Sequence, residues 1–447
     1  MNKQHIRRYY FYIFISFFGA IFLNGCDKGV SITNPPSLIA TKNPTVKKLQ
    51  FSLSDSAAVK VKLKNLLSSK ELILDQLPVK ANHEVLLAGL KPDQNYSIQV
   101  LNKKKVLAQI DSFHTSPIEE NIVSIYERID TSDVFNGYLL TQRRLVRGSV
   151  YMIDDESDLV WYQMVKGQPK LSQWTKNKEI LVLLGNAKHN NSAGDKIIVY
   201  TIDGKISYEI DLNKLGLIAH HEVVEYEDDI IFLAYDTKPN VVNGKIEEAI
   251  SSAIIRMTKN GEIVWKWSTF DIKNPVGISV EDMDGDWGHA NSFAFDEDGN
   301  ILVSYRDWNQ IWKIDIKTGN RIWVLGENGD FEFDDTPFNG QHAISKNSDG
   351  HYMLFDNGKK HRQSRIVSYE LIDNRSKSVV SIDLPEHLYA DRMGNVQILP
   401  NGNFLICSPR SRSIAIINSM GDVVFHINTG IPDPYRVTYI PSFFSSQ

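Results

Sequence analysis

The chain has 447 residues, of which 42% are hydrophobic and 10% aromatic. This composition is typical of a globular protein with a full core. The net charge is −5, from 49 basic and 54 acidic residues. Because no tract is strongly basic, the sequence argues against a nucleic-acid partner.

Residues 1–25 have the organisation of an export signal. A basic start precedes an apolar run of 15 residues from Tyr9 to Leu23, which is shorter than the roughly 20 residues of a membrane-spanning helix. The run ends in Leu-Asn-Gly-Cys, which resembles a bacterial lipobox. We therefore predict that Cys26 is lipidated and that its acyl chains tether the mature protein, facing the periplasm, to the inner or the outer membrane. The alternative is an ordinary signal peptide followed by a chance cysteine.

The second cysteine is Cys407, which follows the apolar strand 404–406. If Cys26 carries a lipid, no intramolecular disulfide can form. We expect Cys407 to be a buried thiol and the fold to depend on packing.

Residues 26–36 are predicted to form a polar tether, and residues 37–116 a small β-sandwich of short alternating strands. The segment from Leu90 to Tyr96 resembles the corner of fibronectin type III modules, in which a tyrosine hydroxyl bonds back to the preceding backbone.

Residues 117–447 contain a repeat of strands and turns. Turns at 137, 178, 229, 299, 350 and 402 give intervals of 41, 51, 70, 51 and 52 residues. Periods near 50 residues without helical periodicity favour a β-propeller, and six units of four strands predict six blades. The long interval is explained by an insertion at 274–288 and by extra length at 238–248.

The repeat places histidines at one register. His221 and His342 each lie eight residues before a turn, and His289 lies ten residues before the turn at 299. Residues two apart in a strand face the same side. Since the innermost strands of a propeller converge, all three side chains are expected in one funnel, which Arg306 on the next strand could approach.

Three stretches around these residues carry a family resemblance, namely HHEVVEYEDDIIFLAY, GHANSFAFDEDGNILVSYRDWNQIWKIDIKTGNRIWVLG and FNGQHAISKNSDGHYMLFDNG. They resemble the signatures of bacterial arylsulfate sulfotransferases, which are exported, PAPS-independent enzymes with an N-terminal β-sandwich and a six-bladed propeller. The resemblance implies an aryl sulfate donor, a phenolic acceptor and no cofactor. It implies that His342 is the sulfohistidine nucleophile and that His221, His289 and Arg306 complete the site, with neighbouring His220 not excluded. The oligomeric state, monomer or homodimer, stays open.

The residue types suit this chemistry. A guanidinium donates paired hydrogen bonds to anionic oxygens, which fits Arg306. A neutral imidazole can attack and later leave, which fits His342. A departing phenolate, whose parent pKa is about 10, needs a proton. His221 or His289 could supply it, and the other would steady the sulfuryl oxygens.

Two other functions are compatible with three clustered histidines. One is a zinc-dependent hydrolase, and the other is a tethered propeller without catalytic activity. Trp287, Trp308 and Tyr235 are candidates for holding an aryl ring. The acidic segment 282–286 is interpreted as a solvated loop that could act as a lid.

Overall fold

The computed structural model describes residues 29–75, 77–118, 127–130, 134–186, 188, 192–279, 281, 286–430 and 434–443. The signal segment and Cys26 lie outside these ranges. Nearly every element is a β-strand, so the all-β prediction is confirmed. In the described part of the chain, no helix has the length and apolar character needed to cross a bilayer. The short 3₁₀ turns include Leu212–Leu215, Thr269–Asp271, Glu386–Leu388 and Pro409–Ser411.

The N-terminal strands arise from side chains that alternate between buried and exposed positions, as in residues 60–65. The strands are β1 (Ile32–Ala40), β2 (Lys47–Ala57), β3 (Lys60–Asn65), β4 (Glu71–Leu74), β5 (Lys80–Leu87), β6 (Asn95–Asn102) and β7 (Lys105–His114). They form one sheet in the order β1-β2-β5 and a second in the order β4-β3-β6-β7. Both sheets contribute to one core, for example Phe51 from β2 and Leu63 from β3.

The tyrosine of the predicted corner makes the expected contact. The hydroxyl of Tyr96 accepts a hydrogen bond of 2.8 Å from the backbone N–H of Lys91. The side chain of Lys91 then reaches the next part of the chain, where its ammonium group contacts Asp154, Glu156 and Asp158. These ion pairs attach the N-terminal sheets to the first of the following sheets.

The following residues form longer runs of strands separated by tight turns. The first are β8 (Glu127–Asp130), β9 (Tyr138–Arg143), β10 (Ser149–Asp154), β11 (Leu159–Met164), β12 (Gln168–Trp174), β13 (Ile180–Gly185), β14 (Ala193–Gly194), β15 (Lys196–Tyr200), β16 (Ile206–Asp211), β17 (Ala219–Tyr226), β18 (Asp229–Val242), β19 (Lys245–Met257) and β20 (Ile263–Ser268). The others are β21 (Ala290–Phe295), β22 (Ile301–Tyr305), β23 (Gln310–Ile314), β24 (Arg321–Gly326), β25 (Glu332–Phe333), β26 (His342–Lys346), β27 (Tyr352–Asp356), β28 (Arg365–Ile372), β29 (Arg375–Asp383), β30 (Asn395–Ile398), β31 (Phe404–Ser408), β32 (Ser413–Ile417), β33 (Val423–Asn428) and β34 (Thr438–Ile440).

Within the described ranges these strands make six sheets that follow one another along the chain. The orders are β34-β9-β10-β11, β12-β13-β15-β16, β14-β17-β18-β19-β20, β21-β22-β23-β24, β26-β27-β28-β29-β25 and β30-β31-β32-β33-β8. The pairs are antiparallel apart from β25 with β29. The C-terminal strand β34 completes the first sheet, and β8 joins the last, so strands from both ends of this region are exchanged between its terminal sheets.

The third sheet has extra length at residues 238–248, the range that the long interval between turns indicated. Strands β18 and β19 form one long hairpin, paired as far as Val242 and Lys245. The hairpin is held to the following loop by a hydrogen bond of 2.8 Å from the Asn240 side chain to the carbonyl of Ile278. Cys407 is buried in the core between the first and last sheets.

Candidate active site

The cavity of interest opens where the first strands of three successive sheets begin. Its volume is about 210 Å³, and its walls include all four residues that the sequence singled out. His221 lies near the start of β17, His289 directly precedes β21, His342 begins β26, and Arg306 directly follows β22. The other lining residues are Ser192, Tyr235, Arg392 and Met393.

An irregular backbone turns these side chains into the cavity. The pairing of each first strand with its neighbour shifts register at the histidine or just after it, as in a β-bulge. At these bulges His221, His289 and Ala343 have φ values of 57°, 51° and 55°. Left-handed backbone is uncommon for residues other than glycine and concentrates at functional sites. The repeated distortion therefore explains why residues on three sheets face one space.

A backbone contact brings Arg306 to His289. The N–H of Arg306 donates to the carbonyl of His289 at 3.1 Å, because β22 pairs with β21. The Nε of Arg306 donates to Asp307 Oδ1 at 2.7 Å. Among the described residues no acceptor binds its two terminal nitrogens, so they can bind the oxygens of an anionic ligand.

Hydrogen bonds fix the protonation pattern of His342. The side-chain amide of Asn357 donates to the carbonyls of Ala390 and Met393, at 2.8 and 2.9 Å. Its Oδ1 therefore faces Nδ1 of His342, at 2.7 Å, and can only accept. The hydrogen of His342 is thus on Nδ1, and Nε2 keeps its lone pair. In this structure that lone pair accepts the backbone N–H of Met393 at 3.1 Å.

The other two histidines lie beside each other but have different partners. The ring centroids of His221 and His289 are 4.9 Å apart. Nδ1 of His221 is 2.8 Å from Nδ1 of His220, and His220 is fully buried and stacks on Tyr235. Of the adjacent residues His220 and His221, it is therefore His221 that lines the cavity. Nδ1 of His289 is buried without a hydrogen-bond partner among the described residues, and it lies 3.6 Å from Oδ2 of Asp286, which is not a lining residue of the cavity.

Burial keeps the imidazoles neutral. It lowers the pKa of His342 to about 3, with Arg306 and Arg436 acting in the same direction and Asn357 opposing. It lowers the pKa of His220 to about 3. Burial also brings the pKa of His221 and of His289 well below the usual value, with further lowering by neighbouring histidines and Arg306. A lone pair for nucleophilic attack is thus available throughout the neutral pH range.

A buried ion pair lies next to the residues that line the cavity. Glu222, next to His221, binds the guanidinium of Arg436 and accepts a hydrogen bond of 3.0 Å from Gln173. Arg436 also donates to the carbonyl of Asn291 at 3.2 Å. The pair thus connects residues next to His221 with residues next to His289, so Glu222 acts as a buried structural group and is not a surface residue.

The sequence missed several residues of this site. Arg392 and Met393 line the cavity. Eight residues before the turn at 402, the same count that gives His221 and His342, lies Gly394, one residue away from Met393. Asn357 carried no signal, because its role depends on contact between two sheets. Asp286 was assigned to a solvated loop and is instead buried, with 5% of its surface exposed. Residues 282–285 of that loop lie outside the described residues.

The aromatic candidates divide into two groups. Tyr235 lines the cavity. Trp287 and Trp308 pack edge to face on each other, and Trp308 also stacks on Tyr305. Lys273 lies 4.1 Å from the centre of the Trp308 ring. These tryptophans therefore belong to the packing behind the cavity and are not among its lining residues.

The histidine nitrogens do not form a compact ligand set. Among the described residues, the one group of three or more side chains with ligand atoms within 4.8 Å of one another is Asp154, Glu156 and Asp158. There the ammonium of Lys91 already supplies the positive charge. A larger cavity of about 330 Å³ lies beside this cluster and has no histidine in its walls. We place the site at the smaller cavity because the nucleophilic and cationic groups converge there.

A comparison with protein families matches residues 127–428 to the Arylsulfotransferase (ASST) family. The match spans more than half of the chain. The chain belongs to this family. The resemblance inferred from the three stretches is thereby confirmed, and membership of the family supports aryl sulfotransferase activity in general. A comparison with curated proteins found no match.

Solved structures show more distant similarity. A protein of unknown function from Bacteroides caccae is 16% identical, over 68% of this chain and 98% of that one, with a TM-score of 0.45. Virginiamycin B lyase from Staphylococcus aureus is 12% identical, over 67% and 87%, with a TM-score of 0.38. The β-propeller domain of Cps50 (Swd1) from Myceliophteria thermophila is 12% identical, over 70% and 90%, with a TM-score of 0.42. Similarity at this level does not define an activity.

Proposed function

We propose that the protein moves a sulfuryl group from an aryl sulfate to a phenol by a ping-pong mechanism, through a sulfohistidine at His342 and without PAPS. The observation that carries this proposal is the convergence of His342, His221, His289 and Arg306 on one cavity. Family membership supports the class of reaction, and the hydrogen bonds of His342 support its role as nucleophile.

In the first half-reaction, Nε2 of His342 forms a bond to sulfur while the bond from sulfur to the aryl oxygen breaks. The hydrogen bond from the Nδ1–H of His342 to Oδ1 of Asn357 supports the positive charge that develops on the ring. The hydrogen bond from the N–H of Met393 to Nε2 must first break. That amide then lies beside the transferring group and can donate to one of its oxygens.

Arg306 binds the oxygens of the transferring group with its two terminal nitrogens, for which the described residues supply no acceptor. Sulfuryl transfer resembles phosphoryl transfer, in which positioning and charge stabilisation supply most of the catalysis. The departing phenolate receives a proton from a neighbouring histidine. In the second half-reaction an acceptor phenol gives its proton to that histidine and attacks the sulfur, which restores His342.

The finer architecture and the location are part of the same proposal. The six consecutive sheets are interpreted as the blades of a propeller, in which strands β34 and β8 close the ring, and the two N-terminal sheets as a small sandwich. Cys26 is proposed to carry a lipid that holds the mature chain at a membrane on the periplasmic side. Substrates would then reach the cavity from the periplasm.

The covalent intermediate gives the direct test. Purified protein is mixed with 4-nitrophenyl sulfate and no acceptor, and intact-mass and peptide analyses are run under non-acidic conditions. We expect one sulfuryl group per chain, located on His342, and its loss when a phenol is added. The matched control is His342→Asn, which keeps size and polarity and should fold, stay unlabelled and lose turnover at least ~10³-fold. Label on another residue, or full turnover by the variant, would refute the proposal.

A further inference from the structure

Asp286 is a buried carboxyl group that lies beside His289, one of the histidines that line the cavity. Only 5% of its surface is exposed, and neither carboxyl oxygen has a hydrogen-bond partner among the described residues. Its Oδ2 lies 3.6 Å from Nδ1 of His289, a nitrogen that is likewise buried and has no hydrogen-bond partner within the described part of the chain. Two facing polar atoms that are both unsatisfied would each be costly to bury.

A proton between the two atoms resolves this cost. Burial raises the pKa of Asp286 to about 8, and the nearby Asp307 adds to this, whereas Arg306 opposes it. The pKa of His289 is lowered by burial and by Arg306. The neutral forms of both groups are therefore favoured at pH 7, with the carboxyl hydrogen directed at Nδ1. Catalytic hydrogen bonds are often long before substrate binds and tighten in the complex.

We propose that Asp286 is a positioning residue that makes His289, and not His221, the general acid and base of the reaction. This inference rests on the proposed function and deepens it. A carboxyl hydrogen on Nδ1 places the ring hydrogen on Nε2. Since Nδ1 is buried against Asp286 and His289 lines the cavity, Nε2 is the nitrogen left to meet a substrate there. His289 then presents a proton to the oxygen of the departing phenolate.

The proton balance closes over one cycle. When the aryl oxygen leaves, it takes the Nε2 hydrogen of His289, and Nδ1 takes the hydrogen of Asp286, so that the residues become a neutral imidazole and a carboxylate. An acceptor phenol then returns a proton to Nε2 while its oxygen attacks the sulfur on His342. Nδ1 passes its hydrogen back to Asp286, and the starting state is restored.

The surroundings of His221 favour the other role. Its Nδ1 is engaged by His220, and the groups that lower its pKa include His289, His342 and Arg306. Neighbouring Glu222 is bound to Arg436, and among the described residues no other carboxyl group forms a hydrogen bond or ion pair with His221. His221 is therefore suited to contact the sulfuryl oxygens beside Arg306.

The charged groups around the proposed pair set its pH range. Asp286 faces Asp307 and Arg306 in addition to His289. His289 faces Arg306, His220, His342 and Lys359, as well as the ring of His221. The cations disfavour a second proton on His289, so the pair holds its transferable proton below about pH 8 and loses it above that value.

The test is the dependence of Asp286→Asn on the leaving group. Asparagine keeps the size of the side chain but cannot give up or regain a proton. We expect kcat/KM for phenyl sulfate to fall ~10²-fold, because its phenolate needs a proton, and kcat/KM for 4-nitrophenyl sulfate to fall less than ~3-fold. We also expect the decline of wild-type kcat/KM for phenyl sulfate above about pH 8 to disappear in the variant.

Asp296→Asn is the matched control. Asp296 is also buried and follows the next strand of the same sheet, but it is bound to Lys313 and Lys346. We expect this variant to lower stability without changing the leaving-group dependence. Equal losses with both substrates in Asp286→Asn would reduce Asp286 to a structural residue and overturn the inference. If Asp286→Asn does not fold, Asp286→Ser is measured with the same pair of substrates.

Failure of this inference can be separated from failure of the proposed function. If the wild type turns over neither aryl sulfate and His342 acquires no label, the proposed function fails. If the wild type turns over both substrates and labels His342 while the variants show no leaving-group effect, only the assignment of Asp286 and His289 fails.

Discussion

Two buried aspartates, Asp286 before strand β21 and Asp296 directly after it, have opposite surroundings. Asp296 accepts hydrogen bonds of 2.7 Å from Lys313, 2.5 Å from Lys346 and 3.0 Å from Tyr352. Burial alone would raise its pKa, but the bonds from the two lysines outweigh burial and hold the pKa below its usual value. In the part of the chain that the structure describes, Asp286 has no such donors, and burial raises its pKa to about 8.

The difference separates polar groups that join sheets from polar groups that react. Lys346 and Tyr352 belong to the sheet after that of Asp296, so this network ties two sheets together and has its charges satisfied. The cavity instead combines unsatisfied polar atoms, left-handed backbone at His221 and His289, and imidazoles with lowered pKa. Such a region lowers the stability of the fold, and features of this kind concentrate where a protein carries out a reaction.

Arg306→Lys tests the reactive side of this comparison, and its expected effect is larger than those of the two predictions that follow it. Lysine keeps the charge but loses the planar pair of donors that fits a sulfuryl group. We expect kcat and kcat/KM to fall together by ~10²-fold, because the interaction forms mainly in the transition state. Steady-state kinetics with 4-nitrophenyl sulfate and a phenol give both values. An increase in KM alone would make Arg306 a simple anion-binding residue.

The sequence predicted the placement of this site better than its interior. Recurring turns and alternating strands were enough to put His221, His289 and His342 at nearly the same register. The family resemblance added the role of His342 and the link to Arg306. In contrast, Met393 reaches His342 from the segment that precedes the next sheet, and Asn357 is oriented by carbonyl groups of that segment. No local pattern encodes these contacts. Asp286 was predicted to be solvated because acidic loops usually are, and its burial depends on tertiary packing.

Trp287 and Trp308 illustrate the same limit. Their sequence proximity to His289 and Arg306 suggested an aryl-binding role. The glycine between Trp287 and His289 instead permits close packing, since a Cβ at Gly288 would lie 2.7 Å from the ring of Trp308. Sequence distance located these residues near the site but could not decide which side of the backbone their rings occupy.

Asp296→Asn tests the structural side and has an intermediate effect. The amide removes the negative charge that Lys313 and Lys346 share, although Lys313 also contacts Asp298. We expect the free energy of unfolding to fall by about 2 kcal/mol, because buried ammonium groups lose part of their compensation. Urea unfolding measures this loss, and turnover of phenyl sulfate should be unchanged. A similar loss of turnover would show that the network shapes the cavity.

The smallest effect is on the pH dependence of stability, and it distinguishes the two regions in one titration. A histidine whose folded pKa is about 3, as for His342, takes up a proton on unfolding between pH 3 and its unfolded pKa of about 6.5. Such a histidine therefore lowers the free energy of unfolding as pH falls below about 6.5. The pKa of Asp296 is held low by its lysines, so its stabilisation is present above about pH 4 and is lost below that value. Asp286 acts in the opposite direction from the histidines, since its raised pKa means that the folded state takes up its proton first as pH falls.

The informative quantity is thus the difference in the free energy of unfolding between the wild type and a single variant. Between pH 6 and pH 4.5, the free energy of unfolding of His342→Asn should fall less steeply than that of the wild type, by up to ~1.4 kcal/mol per pH unit, because one proton fewer is taken up on unfolding. Asp296→Asn should keep the wild-type slope in this range. Urea unfolding at pH 6, 5.5, 5 and 4.5 measures all three slopes. Equal slopes for His342→Asn and the wild type would mean that His342 is not held neutral by the fold, and the comparison between reactive and structural polar groups would lose its electrostatic basis.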